Sequence, residues 1–336
     1  MDDPEENTGQ NNENNDSPQD HLMNFIQDQE KTPKQQEFDN IERFGPNTRQ
    51  KVDKIELNSD WQEISIDQLP FGKFYPIGTH IFIRPLSTQE IQAFAVVNDK
   101  NPYDVQLKLN EVLASCTKIT FIDGQVGTYK DLMDGDRDTL AIILSRATAK
   151  HGKRVEKPVT CDCKIAGGEE QMVELIPANY VYKVEDPDIA QFFDVDKRVY
   201  NIEMYNGVNI PLAPPTIGLT EDINNYIFYK TTKSEGKILP NISFIQCIGY
   251  IKAGKGVKSI SIEQLEQEEY NFRKMNPDVF EVTYAAVDLM NFGIEKVKTK
   301  CKKCGKELTT PFSFPGGPRN LFLVPNAFKQ LTRQRV

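Results

Sequence analysis

Histidine is scarce in this 336-residue chain, which has three, His21, His80 and His151. That leaves little material for a general base or a hydrolytic metal site, both of which lean on imidazole. The ordered motifs of catalysis are missing too: no G-x-S-x-G, P-loop, H-E-x-x-H or G-x-G-x-x-G occurs. An enzyme is therefore not expected, and neither is a small-molecule substrate. No run of 18 or more apolar residues exists, so no membrane-spanning helix is expected. Six cysteines are few for so long a chain, and the first residues carry no secretory signal pattern. A disulfide-stapled secreted scaffold is not expected, and a reducing compartment is.

Net charge is also missing from most of the chain. Residues 1–60 hold 15 acidic and 6 basic side chains, which account for the whole net charge of −9, while 61–336 hold 34 of each. A balanced body lacks the field that binds a phosphate backbone by counterion release, so nucleic acid is an unlikely partner. The first 60 residues are rich in Asn, Gln, Asp and Glu, and such a segment is expected to stay disordered. Leu22, Met23, Phe25 and Ile26 form one apolar cluster within it, read either as a docking peptide or as a stray cluster in a solvated tail.

What the chain does have is two cysteine pairs. Cys161-Asp162-Cys163 is a C-x-C, and Cys301-Lys302-Lys303-Cys304-Gly305 is a C-x-x-C followed by glycine. Two such pairs supply the four thiolates of a tetrahedral zinc ion, and the glycine relieves crowding where backbone amides approach the sulfurs. Cys301 follows Cys163 by 138 positions, so this is no compact finger. A disulfide or redox pair and unliganded thiols are the alternatives. His151 is read as a solvated loop residue, and Cys116, with no second cysteine near it, as core. Lysines 298, 300, 302, 303 and 306 crowd the second pair and read as an offset to thiolate charge, or as a basic patch.

The rest of the chain reads as α+β, helical segments with short antiparallel strands. The aromatic stretch 69–76 reads as an extended, turn-rich entry with its rings buried, and a strand over 77–85 ends at Pro85. Ser87 and Glu90 form a capping box for a helix to about Val97, and Asn101-Pro102 starts another, with Val105, Leu109, Val112 and Leu113 in register before Cys116. A strand is expected at 119–122. A helix is expected over 131–150, capped by Asp134 or Asp136, with Arg137 and Arg146 in surface or inter-helix ion pairs. A strand at 155–160 delivers Cys161, with a Gly167-Gly168 turn to a strand at 171–176. Asn206-Gly207 joins strands near 198–205 and 208–212. Helices follow at 220–232, from Leu239-Pro240 to Gly254, from Ser261 to Lys274, and from Asn276-Pro277 to before Gly293. The last carries a stripe of Phe280, Thr283, Tyr284, Val287 and Met290. A strand at 294–299 delivers Cys301 and 307–314 returns, so the two halves form a zinc-ribbon-like element around an insertion. The resulting regions are 1–60, 61–163, 164–300 and 301–336.

Several of these features recur in one order: Leu69-Pro70, Phe74-Tyr75-Pro76, Ile83-Arg84-Pro85-Leu86-Ser87 with Glu90, Cys116, Asp136-Arg137, Leu144-Ser145-Arg146, Val159-x-Cys161-x-Cys163, and Cys301-x-x-Cys304-Gly305. Over about 65–325 this pattern resembles the T-even-type bacteriophage baseplate hub proteins. The resemblance implies a part or an assembly factor of a contractile-tail baseplate, located in the virion or in host cytoplasm during assembly, with other tail proteins as partners. Similar proteins more usually have two residues between the first cysteines, where this chain has only Asp162. The alternative is an intracellular zinc-ribbon adaptor for nucleic acid or a nucleic-acid enzyme. The aromatic stretches 71–75 and 312–314 are candidate protein interfaces if exposed.

Overall fold

The computed structural model describes residues 60–148, 155–163, 170–183, 185–204, 207–233, 241–290, 293–314 and 321–322. The 22–26 cluster, His21, His151 and the Gly167-Gly168 turn lie outside them. The architecture is α+β.

A four-stranded antiparallel sheet opens the body. Strand β1 (Gln62–Ile64) pairs with β2 (His80–Ile83), which is followed by helices α1 (Thr88–Ala95) and α2 (Pro102–Cys116). Strand β3 (Thr117–Thr120) leaves α2 directly and pairs with β2, and β4 (Val126–Gly127) closes the order β1-β2-β3-β4. The register sets Ile81 opposite Ile119 on the buried face, where both are fully inaccessible. This strand starts two residues earlier than the apolar run indicated, which leaves Ile122 79 % exposed in the following turn. The Ser87 capping box is complete, and the Glu90 carboxylate also grips Arg84 at 2.6 Å, which holds its pKa down at about 2. Asn101 caps α2 through the amide of Tyr103, and Cys116 is core as expected.

The long helix expected over 131–150 is shorter at its start. Two single 3-10 turns, Tyr129–Asp131 and Asp134–Asp136, precede α3 (Arg137–Thr148). Asp136 does not cap it. Its carboxylate instead turns into the core, where it accepts the Phe71 N–H and the Tyr75 hydroxyl at 2.9 Å each, and Tyr75 in turn accepts from the Met133 amide. Gly135 allows this approach, since a Cβ there would lie 2.0 Å from the Phe71 ring. Arg137 is not on the surface: it is buried, donates to Asn110 of α2 at 2.9 Å, and pairs with Asp134. Phe71, Phe74 and Tyr75 are buried as well. The rings of 71–75 are therefore core, which removes that stretch as an exposed interface.

Strands β5 (Glu156–Thr160) and β6 (Glu170–Glu174) pair antiparallel, and β7 (Tyr180–Tyr182) joins a different sheet. After a short helix α4 (Pro187–Ala190), strands β8 (Phe193–Asp194), β9 (Val199–Glu203) and β10 (Asn209–Leu212) make a meander. Gly207 adopts φ +76° in the turn between β9 and β10, as an Asn-Gly hairpin needs. The side chain of Lys73 bridges this meander to the aromatic stretch: its ammonium lies 4.2 Å from the Phe193 ring centroid and 2.5 Å from Glu185.

Four helices follow. Helix α5 (Ile217–Lys233) begins three residues before the periodicity indicated, α6 (Ile242–Gly254) is capped by Asn241, and α7 (Ile262–Arg273) and α8 (Pro277–Leu289) start at their expected caps. Among them Glu269 is buried and accepts from Tyr226, Lys230 and Arg273; burial raises its pKa, but these donors win and lower it. In α8 the buried positions are Thr283 and Ala286, and Tyr284 of the expected stripe is exposed. Helix α6 lies against β10 so closely that a Cβ on Gly254 would sit 2.2 Å from the Pro211 carbonyl oxygen. Backbone cannot swing aside as a side chain can, so Gly254→Ala is expected to destabilise by about 1–3 kcal/mol or more, read by chemical denaturation.

Strand β11 (Ile294–Lys300) pairs with β7 and with β12 (Glu307–Pro311), giving the order β12-β11-β7. One hydrophobic cluster joins Ile64 at the start of the described chain to Phe322 near its end, through Leu140, Val173, Tyr200 and Val297. The regions 61–163, 164–300 and 301–336 thus contribute to a shared core.

Candidate metal centre

Strand β5 ends at Thr160, so Cys161 and Cys163 project from the end of the β5–β6 hairpin. Strand β11 ends at Lys300, and the chain then turns back on itself. The Gly305 amide donates to the Cys301 carbonyl at 2.9 Å, and the Cys301 amide to the Lys306 carbonyl at 2.8 Å. Gly305 has φ +72°, a left-handed conformation that glycine alone adopts without strain. This turn aims both sulfurs of the pair back at Cys161 and Cys163.

The Sγ atoms of Cys161 and Cys304 are 3.7 Å apart, those of Cys163 and Cys301 are 4.0 Å apart, and all four lie within 4.8 Å of one another. A tetrahedral ion with bonds of about 2.3 Å to sulfur needs sulfurs about 3.8 Å apart. The donor set therefore fits a metal. These separations are too long for a disulfide, and all four cysteines are free. No other cluster of three or more metal-ligating side chains occurs among the described residues.

The thiols are not equivalent. Cys161 and Cys301 are buried, Cys163 is half-buried and Cys304 is exposed. Backbone N–H groups of Cys304 and Lys303 point at the Cys301 sulfur and lower its pKa to about 6, whereas burial pushes Cys161 up to about 12. Cys301 therefore gives up its proton more readily than Cys161, and binding of a cation to both would release the Cys161 proton. An ion held by all four has no open position for water, which suits a structural role and not a catalytic one.

The two halves are also stitched by side chains that the cysteine spacing did not reveal. Gln171 of β6 donates to the Lys300 carbonyl at 3.1 Å and accepts from the Lys302 amide at 3.2 Å, so one amide spans both half-sites. Lys157 of β5 reaches the Pro311 carbonyl at 2.6 Å. Only the alternation of β6 hinted at Gln171, and nothing marked it as a partner of residue 300. His80 is exposed, pairs with Glu63 at 2.6 Å in the first sheet, and is not part of the four-thiol cluster. Lysines 298, 300, 302, 303 and 306 are all exposed around the second pair, Phe312 and Phe314 are half-buried, and no helix among the described residues is long and apolar enough to cross a membrane. Protein-family models, curated proteins and solved structures offer no match to this chain.

Proposed function

We propose that this chain is a structural or assembly component of a bacteriophage contractile-tail baseplate hub, and that the ion its four cysteines hold is zinc. The observation that carries the reading is the closed four-sulfur site joining residue 161 to residue 304, at the two cysteine motifs through which the chain resembles the hub proteins. Zinc matches a tetrahedral all-thiolate set and undergoes no redox chemistry, so it serves as a clasp. The charge-balanced body favours protein partners over nucleic acid. Absence of catalytic motifs and of an open coordination position agree with a part that builds and does not turn over substrate.

The test is direct. An antibody to this chain is expected to label the tail end of purified particles in negative stain, and a pull-down from infected cells to recover hub or wedge proteins. A gel-shift titration with DNA or RNA is expected to show nothing tighter than the roughly micromolar non-specific range. Salt-sensitive, sub-micromolar nucleic-acid binding with no tail protein recovered favours the adaptor instead, with the exposed lysines at 298–306 as its contact surface.

A further inference from the structure

A cleft of about 380 Å³ opens where α5, α6 and α8 meet. Its walls are mostly apolar: Ile223 and Ile227 of α5, Ile242 and Tyr250 of α6, and Tyr284 and Val287 of α8. Ile223 and Ile227 are buried, whereas Tyr284 is 49 % exposed, so the cleft has a closed floor and an open rim. Two acids complete the charged lining, Asp134 and Asp288, and among the described residues no lysine, arginine or histidine joins them. The rim continues along α8 into half-buried Phe280, whose ring centroid is 5.8 Å from that of Tyr284.

The two carboxylates are short of positive charge. Asp288, in the last turn of α8, is exposed and forms no ion pair with a described residue. Asp134 has Arg137 beside it, yet burial raises its pKa in spite of that guanidinium. Burial, with Asp134 adding to it, also pushes the Tyr250 hydroxyl up to about 12. That hydroxyl makes no hydrogen bond to a described residue and is not sealed from water, so it stays available inside the cleft. A cation entering here gains two carboxylates and meets no like charge in the lining, whereas a phosphate is repelled by both. A bare metal ion lacks a third ligand, since the four cysteines are the one metal-ligating cluster among the described residues. Apolar walls suit a cation carried on a hydrocarbon stem. Guanidinium fits them better than ammonium, because it sheds water more readily and stacks on tyrosine faces.

We propose that this cleft binds an arginine side chain presented by a partner protein, its stem along the aliphatic walls and its guanidinium at Asp288 and Asp134, with the flanking chain resting on Tyr284 and Phe280. The inference stands apart from the hub reading and from the metal. It accounts for two under-compensated carboxylates and an unpaired hydroxyl in a cleft that three helices otherwise line with apolar side chains.

The experiment uses the full chain with isoleucine methyl labels and two probes, acetyl-Leu-Arg-Leu-amide and the same peptide with citrulline, which keeps the shape of arginine without its charge. The Ile223, Ile227 and Ile242 methyl signals are expected to shift saturably with the arginine peptide, at least about fivefold more tightly than with the citrulline peptide. Ile77 and Ile122 are exposed outside the cleft and should stay still. Asp288→Lys suits a helix C-terminus and is expected to stay folded while losing the preference for arginine; Asp288→Asn is expected to weaken it. Equal titration by both peptides, no saturation by roughly 10 mM, equal movement of Ile77 and Ile122, or unchanged arginine selectivity in Asp288→Lys overturns the proposal. So does movement of the cleft methyls when the peptide-free chain is diluted, which gives the cleft to a second copy.

Discussion

Replacing Cys301 and Cys304 together by serine is expected to strip the chain of its metal and lower its melting temperature by roughly 10 °C or more. The wild-type chain should carry about one zinc by elemental analysis, because four thiolates fill one coordination sphere. The size of the effect follows from where the pairs sit. Opening the site releases the β5–β6 hairpin from the β11–β12 pair, leaving Gln171 and Lys157 as the named side-chain ties between them. Cys116 and Cys247 are the controls: both are buried thiols outside the cluster, so Cys116→Ala and Cys247→Ala should leave metal content unchanged whatever they do to packing. Metal below about 0.2 per chain in the wild type, or an unchanged melt in the double serine variant, would sink the clasp.

The second large effect is expected at Asp136. Burial raises its carboxyl pKa to about 7, against the partial offset of the Phe71 amide and the Tyr75 hydroxyl, with Asp134 raising it further. A folded pKa above the unfolded one means that the folded state holds the proton more tightly. The group's contribution to stability is therefore fully present below about pH 4, its unfolded range, and is lost as pH rises through about 7. Asp136→Asn stays neutral throughout, so the stability difference between this variant and the wild type should shift in the variant's favour between pH 5 and pH 8, groups common to both proteins cancelling. Asp136→Ala removes the same titrating group, so its difference from the wild type shifts with pH in the same sense, but it orphans the Phe71 N–H and the Tyr75 O–H in the core and should lie roughly 2–5 kcal/mol below Asp136→Asn at both pH values. Denaturant titrations of the three proteins at pH 5 and pH 8 decide it, and a pH-independent difference between Asn and wild type refutes the assignment.

What could be read from the chain itself was mostly local. Ser87 with Glu90, Asn101 with Pro102, Ser261 with Gln264 and Asn276 with Pro277 each marked a helix start, because a cap is written in adjacent residues. The four cysteines were legible because thiolate spacing is itself a coordination pattern. Long-range polar packing was not legible. Asp136 has the composition and position of a cap, yet it reaches 65 residues back to Phe71, and that partnership leaves no periodic trace. Of the two readings of Arg137, surface or inter-helix pairing, the second is the one observed: it pairs with Asp134 in the preceding turn and donates to Asn110 27 positions away, and nothing local chose between the two. The aromatics at 71–75, flanked by proline and glycine, are buried as that turn-rich stretch indicated, and the 3-10 turn at Gly72–Phe74 folds their rings inward, which leaves the conditional reading of them as an interface without exposed rings.

The 138 positions between Cys163 and Cys301 also set a timetable. At about 5–20 residues per second on the ribosome, the first cysteine pair waits on the order of ten seconds for the second. During that interval Cys161 and Cys163 are bare thiols on a nascent chain, with half a coordination sphere and no knuckle to complete it. Closure comes only when β11 and the turn through Gly305 have been made, so a chain that stops short of residue 304 is never clasped, however well its earlier sheet and helices have formed. The metal would therefore distinguish finished chains from truncated ones before either reached a partner.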